Sequence, residues 1–88
     1  MDSLAQYLNE PKELKGFEKD SDLARLLNVS RAYISQIRSG QYMGEAKCYE
    51  MALMLNLEPL KLLSLNRAIR NKDRRLKEYW LTVYRKTV

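Results

Sequence analysis

Between Asp20 and Ser39 two short apolar repeats sit on either side of a three-residue joint, and this stretch constrains the fold more than any other. Leu23, Ala24, Leu26 and Leu27 recur at helical spacing, with Asp20 as an N-cap candidate and Asp22 close to the positive helix end. Asn28 follows, a residue that tolerates the left-handed conformation a tight turn requires. Ser30 is a second N-cap candidate and opens a helix over Arg31–Ser39, whose apolar positions Ile34 and Ile37 lie three apart, and Gly40 ends it. Ala24 is small where two helices must approach closely, and Leu23, Leu27, Val29, Ile34 and Ile37 supply the anchors that fix one across the other. The pattern predicts two helices joined by a 3–4-residue turn, a helix-turn-helix.

The rest of the chain reads helical. Residues 3–15 form a first helix, capped by Ser3, with Leu4, Tyr7, Leu8 and Leu14 on one face, a bend at Pro11 and a stop at Gly16. A fourth helix fits 45–56, where Cys48, Met51, Ala52 and Leu55 fall at i, i+3, i+4 and i+7. Pro59 suits the first turn of a fifth. Beyond it Leu62, Ile69, Leu76 and Val83 are spaced seven apart, Leu65 and Tyr79 add a second register, and polar Lys72 interrupts it. The pattern fits one long helix or two broken near Asn71. No stretch alternates apolar and polar with β-branched residues, so no strand is expected. The fold class is all-α: a compact bundle of about five helices with a helix-turn-helix, plus a C-terminal amphipathic helix. Residues 1–63 form the expected helix-turn-helix domain, and 64–88 a C-terminal helical extension.

The chain has 88 residues, room for one core and no separate catalytic domain. It contains no histidine, which removes the commonest general base and the commonest metal ligand. Its single cysteine, Cys48, has no histidine partner and reads as a small buried apolar group. Neither an acid/base pair nor a phosphate loop stands out, so an enzyme is not expected, nor a cofactor, metal or small-molecule ligand. No apolar run reaches the ~18–20 residues of a membrane span, and no signal peptide is evident. With the lone thiol, this predicts a reducing, cytoplasmic setting. Net charge is +5, but its distribution matters more: residues 19–42 carry +2, and residues 59–88 carry +7. A basic balance favours polyanionic partners.

The segment from Asp20 to Gly40 resembles the helix-turn-helix of the phage Cro and repressor family, of the xenobiotic-response-element type. Leu23-Ala24, Asn28-Val29-Ser30, Ile34-Ser35, Ile37 and Ser39-Gly40 carry the likeness, and Ala52, Leu55, Leu57 and Pro59 extend it over residues 14–63. The short first helix and the tail are similar to a group of small helix-turn-helix proteins of phages, particularly filamentous ones. Two positions depart from the family pattern. Asn28 stands where many members have glycine, and Asp20 where many have a phosphate-contacting glutamine. A carboxylate repels phosphate, so Asp20 is expected to cap rather than to touch DNA.

The resemblance implies that the Arg31–Ser39 helix enters the major groove of double-stranded DNA. Arg31 and Gln36 are then the leading base readers, since arginine pairs guanine and glutamine pairs adenine through two hydrogen bonds each. Ala32 or Tyr33 would touch a thymine methyl, or Tyr33 would bond a phosphate through its hydroxyl. Lys19, Ser30, Ser35, Arg38, Ser39, Gln41, Tyr42 and Lys47 are the candidates for the DNA backbone.

Three readings compete for the C-terminal segment. Foremost is dimerisation, with Leu62, Leu65, Ile69, Leu76, Tyr79, Trp80 and Val83 packing on a partner so that a homodimer matches a palindromic operator. In the second, the helix folds back over its own core. In the third, Arg67, Arg70, Lys72, Arg74, Arg75 and Lys77 contact DNA or a membrane. The expected function is a sequence-specific transcriptional regulator, a phage or prophage repressor. The alternative is a protein-interaction module, antitoxin-like or an adaptor, using the same helices.

Overall fold

The computed structural model describes residues 3–8 and 19–88, and among these every regular element is helical. Residues 5–8 form a helical turn, and the Ser3 hydroxyl accepts from the Ala5 N–H at 3.2 Å. The expectations for Pro11, Leu14 and Gly16 lie outside the described residues. Five helices follow: α1 (Asp20–Leu27), α2 (Arg31–Arg38), α3 (Glu45–Met54), α4 (Pro59–Arg70) and α5 (Arg74–Lys86).

One stop signal is used three times among the described residues. Asn28 has φ 57° and ψ 49°, Gly40 has φ 103° and Asn56 has φ 58°. Each is followed by a residue whose N–H reaches five positions back: Val29 to Ala24 O at 2.9 Å, Gln41 to Gln36 O at 3.0 Å, and Leu57 to Ala52 O at 2.9 Å. Together with the shorter bonds from Asn28, Gly40 and Asn56 themselves, these close the last carbonyls of α1, α2 and α3. The left-handed residue also turns the chain sharply, so each helix crosses the next instead of running on.

Helix starts are local as well. Ser30 caps α2 by accepting from the Tyr33 N–H at 3.1 Å. Pro59 opens α4, and Asp73 caps α5 by accepting from the Arg75 N–H at 2.9 Å. Asn71 Oδ1 accepts from the Asp73 N–H at 3.1 Å. Two side chains that compete for backbone donors thus lie within three residues, and the helix breaks there. The spacing of Leu62, Ile69, Leu76 and Val83 is therefore shared by two helices. Contacts of Lys61 with Thr87 and of Arg67 with Trp80 show that α4 and α5 run antiparallel.

This pairing changes two expectations. The boundary at 63/64 falls inside α4, and Tyr84 of α5 lies in the same buried cluster as Leu4, Leu23 and Ile34. The tail is thus a wall of the one core. Leu62 and Leu65, expected on a dimer seam, are 0% exposed and belong to that core, with Ile69 packed against it. A residue already enclosed by its own chain has no apolar surface left to bury against a partner.

The N-terminal turn joins the last helix directly. The Tyr7 and Tyr84 hydroxyls lie 2.6 Å apart, and Gln6 Nε2 donates to Tyr84 Oη at 3.3 Å. Lys61 Nζ donates to the Thr87 carbonyl at 2.9 Å and sits 4.5 Å from the centre of the Tyr84 ring.

Candidate nucleic-acid interface

Helices α1 and α2 with their three-residue joint form the helix-turn-helix expected from the spacing. Ile34 and Ile37 are 0% and 1% exposed, which fixes the rotation of α2 about its axis. Arg31, Ala32, Ser35, Gln36 and Ser39 consequently face outward and are exposed. The two leading base-reader candidates, Arg31 and Gln36, share this face.

Tyr33 departs from the outward expectation. Its ring packs partly against the core, and its hydroxyl accepts from the Gly44 N–H at 2.9 Å. That bond ties α2 to the start of α3. It uses the hydroxyl as acceptor and leaves its proton able to donate, so the phosphate role fits Tyr33 better than the thymine-methyl role.

Arg38 also differs. Its Nε and Nη2 donate to the two Asp20 carboxylate oxygens at 2.9 and 2.8 Å. This fork is a bidentate ion pair between the last residue of α2 and the first of α1. Arg38 is therefore a clasp within the motif, its charge already matched by a carboxylate. Asp20 is not the N-cap expected of it. Lys19 holds that position in extended conformation, and no side chain caps α1.

The remaining backbone candidates divide. Lys19, Gln41 and Tyr42 are exposed at the ends of the motif. Lys47 pairs with Glu50 on α3 at 3.2 Å. The Ser39 hydroxyl donates to the Gln36 carbonyl at 2.7 Å, and the Ser30 hydroxyl is the α2 cap. Of the seam residues, Leu76 and Tyr79 remain open at 47% and 59% exposure, with Trp80 and Val83 half-buried beside them.

Two relationships had no sequence signal. The Asp20–Arg38 fork spans eighteen positions of unremarkable charged residues. Asn66 is fully enclosed, and its amide bonds both backbone groups of Met43 in the link between α2 and α3.

Burial pushes the Cys48 thiol up to about 12, with Glu45 adding to the effect, so it stays protonated and inert as a nucleophile. No cluster of three or more His, Cys, Asp or Glu side chains able to hold a metal ion occurs among the described residues. No helix among them is long and apolar enough to cross a membrane. No protein-family model, curated protein or solved structure matches the chain.

Proposed function

We propose that this protein binds double-stranded DNA sequence-specifically and regulates transcription as a phage or prophage repressor. In this reading it acts in the bacterial cytoplasm and occupies its operator with α2 in the major groove. The observation that carries the reading is the orientation of α2. Its two isoleucines are enclosed, and its opposite face offers Arg31, Ala32, Ser35 and Gln36 to solvent along the length of the helix. Arginine and glutamine are side chains that read guanine and adenine by paired hydrogen bonds. The helix supporting α2 is held across it by the Asp20–Arg38 fork, so the reading face is presented on a braced element. A homodimer on a palindromic operator belongs to the same proposal, with Leu76 and Tyr79 of α5 as the apolar surface left for it.

Duplex titration tests the reading. Binding should weaken steeply with salt yet retain a preference for one sequence. The Arg31→Ala substitution should cost about 1–3 kcal/mol, confined to one operator position. Weak, uniform affinity for every duplex would overturn the repressor reading. Sedimentation of Leu76→Glu against the unaltered chain tests the dimer.

A further inference from the structure

At the junction of α4 and α5 an open groove of about 550 Å³ is lined by Glu45, Arg67, Arg70, Asn71, Lys72 and Trp80. Three of these side chains are cations and one is an anion. Arg67 is the organised member: its guanidinium lies 4.9 Å from the Trp80 ring centre, and its Nε donates to Glu45 at 3.0 Å. Both partners of that pair are nearly half exposed, so the pair is solvated and exchangeable. Arg70 and Lys72 are at or near the surface and form no ion pair among the described residues. The nearby Asp73 is already matched by Arg75 at 3.2 Å. The lining is therefore a net cationic surface with two uncommitted charges.

Its place in the fold connects it to the reading helix. Gly44 donates to the Tyr33 hydroxyl of α2, and the next residue, Glu45, holds Arg67. The groove thus begins one residue from a side chain of α2. We infer that the groove formed by Arg67, Arg70 and Lys72 grips the phosphodiester backbone of the same duplex that α2 enters, beyond the bases read. The inference rests on the proposed DNA-binding reading and extends its footprint onto the C-terminal helices. A backbone ligand suits the groove better than a stacked base. Arg67 covers one face of Trp80, and Tyr79 meets the ring edge-on at 5.2 Å between centres.

Trp80 is the only tryptophan in the chain and lines this groove, and its emission is read in a Leu76→Glu background so that association through α5 does not contribute. The experiment titrates the intact protein with operator and scrambled duplexes across a salt series. It compares the unaltered chain with an Arg70→Ala/Lys72→Ala variant and an Arg31→Ala/Gln36→Ala variant. Circular dichroism checks that each remains folded. Trp80 emission should change on adding either duplex. Loss of Arg70 and Lys72 should weaken binding by the same factor on every sequence and lower the salt slope by roughly 1–2, at about 0.9 per phosphate no longer neutralised. Loss of Arg31 and Gln36 should abolish sequence preference and leave the Trp80 response in place. If the operator is still preferred but Trp80 is silent and the salt slope unchanged in the Arg70/Lys72 variant, the groove is overturned and the α2 reading stands. If Trp80 responds and the slope falls with no sequence preference in any variant, the groove stands and the repressor reading falls. If the unaltered chain binds no duplex, both are overturned.

Discussion

The Asn66 side chain of α4 forms two hydrogen bonds with the backbone of one residue, accepting from the Met43 N–H at 2.7 Å and donating to the Met43 carbonyl at 2.8 Å. Met43 lies in the link between α2 and α3, where no helix satisfies its backbone. Both residues are 1% exposed, so no solvent can replace the bonds. An unpaired buried donor or acceptor costs about 1–3 kcal/mol. Asn66→Leu, which strands one of each, should therefore lose about 2–4 kcal/mol in urea unfolding with an unchanged m value. Asn66→Asp should lose more at neutral pH, because a buried anion then faces the Met43 carbonyl. Part of that loss should return in acid, where the protonated carboxyl donates again. Equal stability of Asn66→Leu and the unaltered chain would remove this account.

The Asp20–Arg38 fork clasps the helix-turn-helix from its open ends. Both side chains retain about three-tenths of their exposure, which screens the pair. A double-mutant cycle on Asp20→Ala and Arg38→Ala should give a coupling of about 1 kcal/mol that shrinks with added salt. The two substitutions should differ on DNA. Asp20→Ala leaves Arg38 unmatched by this carboxylate beside the proposed binding face, so under that proposal affinity should rise uniformly across sequences. Arg38→Ala should lower stability while the salt slope stays nearly constant. A large fall in that slope would return Arg38 to the phosphate contacts.

How much was legible in the sequence follows from how local each signal is. Asn28 and Gly40 announced their turns because a left-handed residue is needed at a helix end, and the apolar spacing within 20–39 set which faces turn inward. Asn56 makes the same turn without announcing it, since the apolar pattern of 45–56 runs up to it unbroken. The seam beyond Pro59 leaves one helix or two open for a related reason. Seven-residue spacing is indifferent to whether Leu62 and Leu76 share one helix or sit on two that fold together. Only the Asn71 and Asp73 backbone bonds decide that, and they act against a continuous helix. The arrangement of the candidate interface was half legible. Arg31 and Gln36 could be placed from Ile34 and Ile37, whereas the ties of Arg38 and Tyr33 depend on partners distant in sequence.

Cys48 gives a direct readout of core integrity. It is fully enclosed on α3, with a thiol pushed up to about 12 from an ordinary 9.0. The folded protein should resist alkylation at pH 8, and the thiol should react at the rate of global opening as urea is added. The unfolded chain loses this proton near pH 9 and the folded chain near pH 12. Stability from the neutral thiol is thus complete below pH 9 and falls as pH rises between those values. Unfolding midpoints at pH 8 and pH 10.5 should differ in that direction, and Cys48→Ala should reduce the contrast.

Asp73 predicts the opposite dependence at the other end of the scale. Hydrogen bonds from Arg75, first its side chain and then its backbone N–H, hold the carboxyl below its usual value. A depressed folded value stabilises the cap above the unfolded carboxylate value of about 3.9, and this contribution is lost as pH falls through the folded one. Asp73→Asn keeps a capping oxygen without the charge. It should therefore retain most of the helical signal of α5 and flatten the acid side of the stability profile. An acid limb unchanged in this variant would place the titrating group elsewhere.

The Tyr7–Tyr84 contact separates a tail that dimerises from a tail that completes the core. The hydroxyls are 2.6 Å apart and buried, and Leu81 packs against the same cluster. If α5 served only as a dimer element, ending the chain after Asn71 would yield a folded monomer. With Tyr84 inside the core, the truncated chain should instead lose its cooperative unfolding transition, because Leu4, Leu8 and Leu62 lose part of their cover. Truncation alone can fail for trivial reasons, so the finer test is Tyr84→Phe. It removes one oxygen and keeps the ring over which Lys61 lies. It leaves the Tyr7 hydroxyl without this partner and should cost about 1–2 kcal/mol. Tyr7→Phe should cost a similar amount, and the double substitution should cost clearly less than the two together, because both remove the same bond. Strict additivity would mean that the two hydroxyls do not meet in solution.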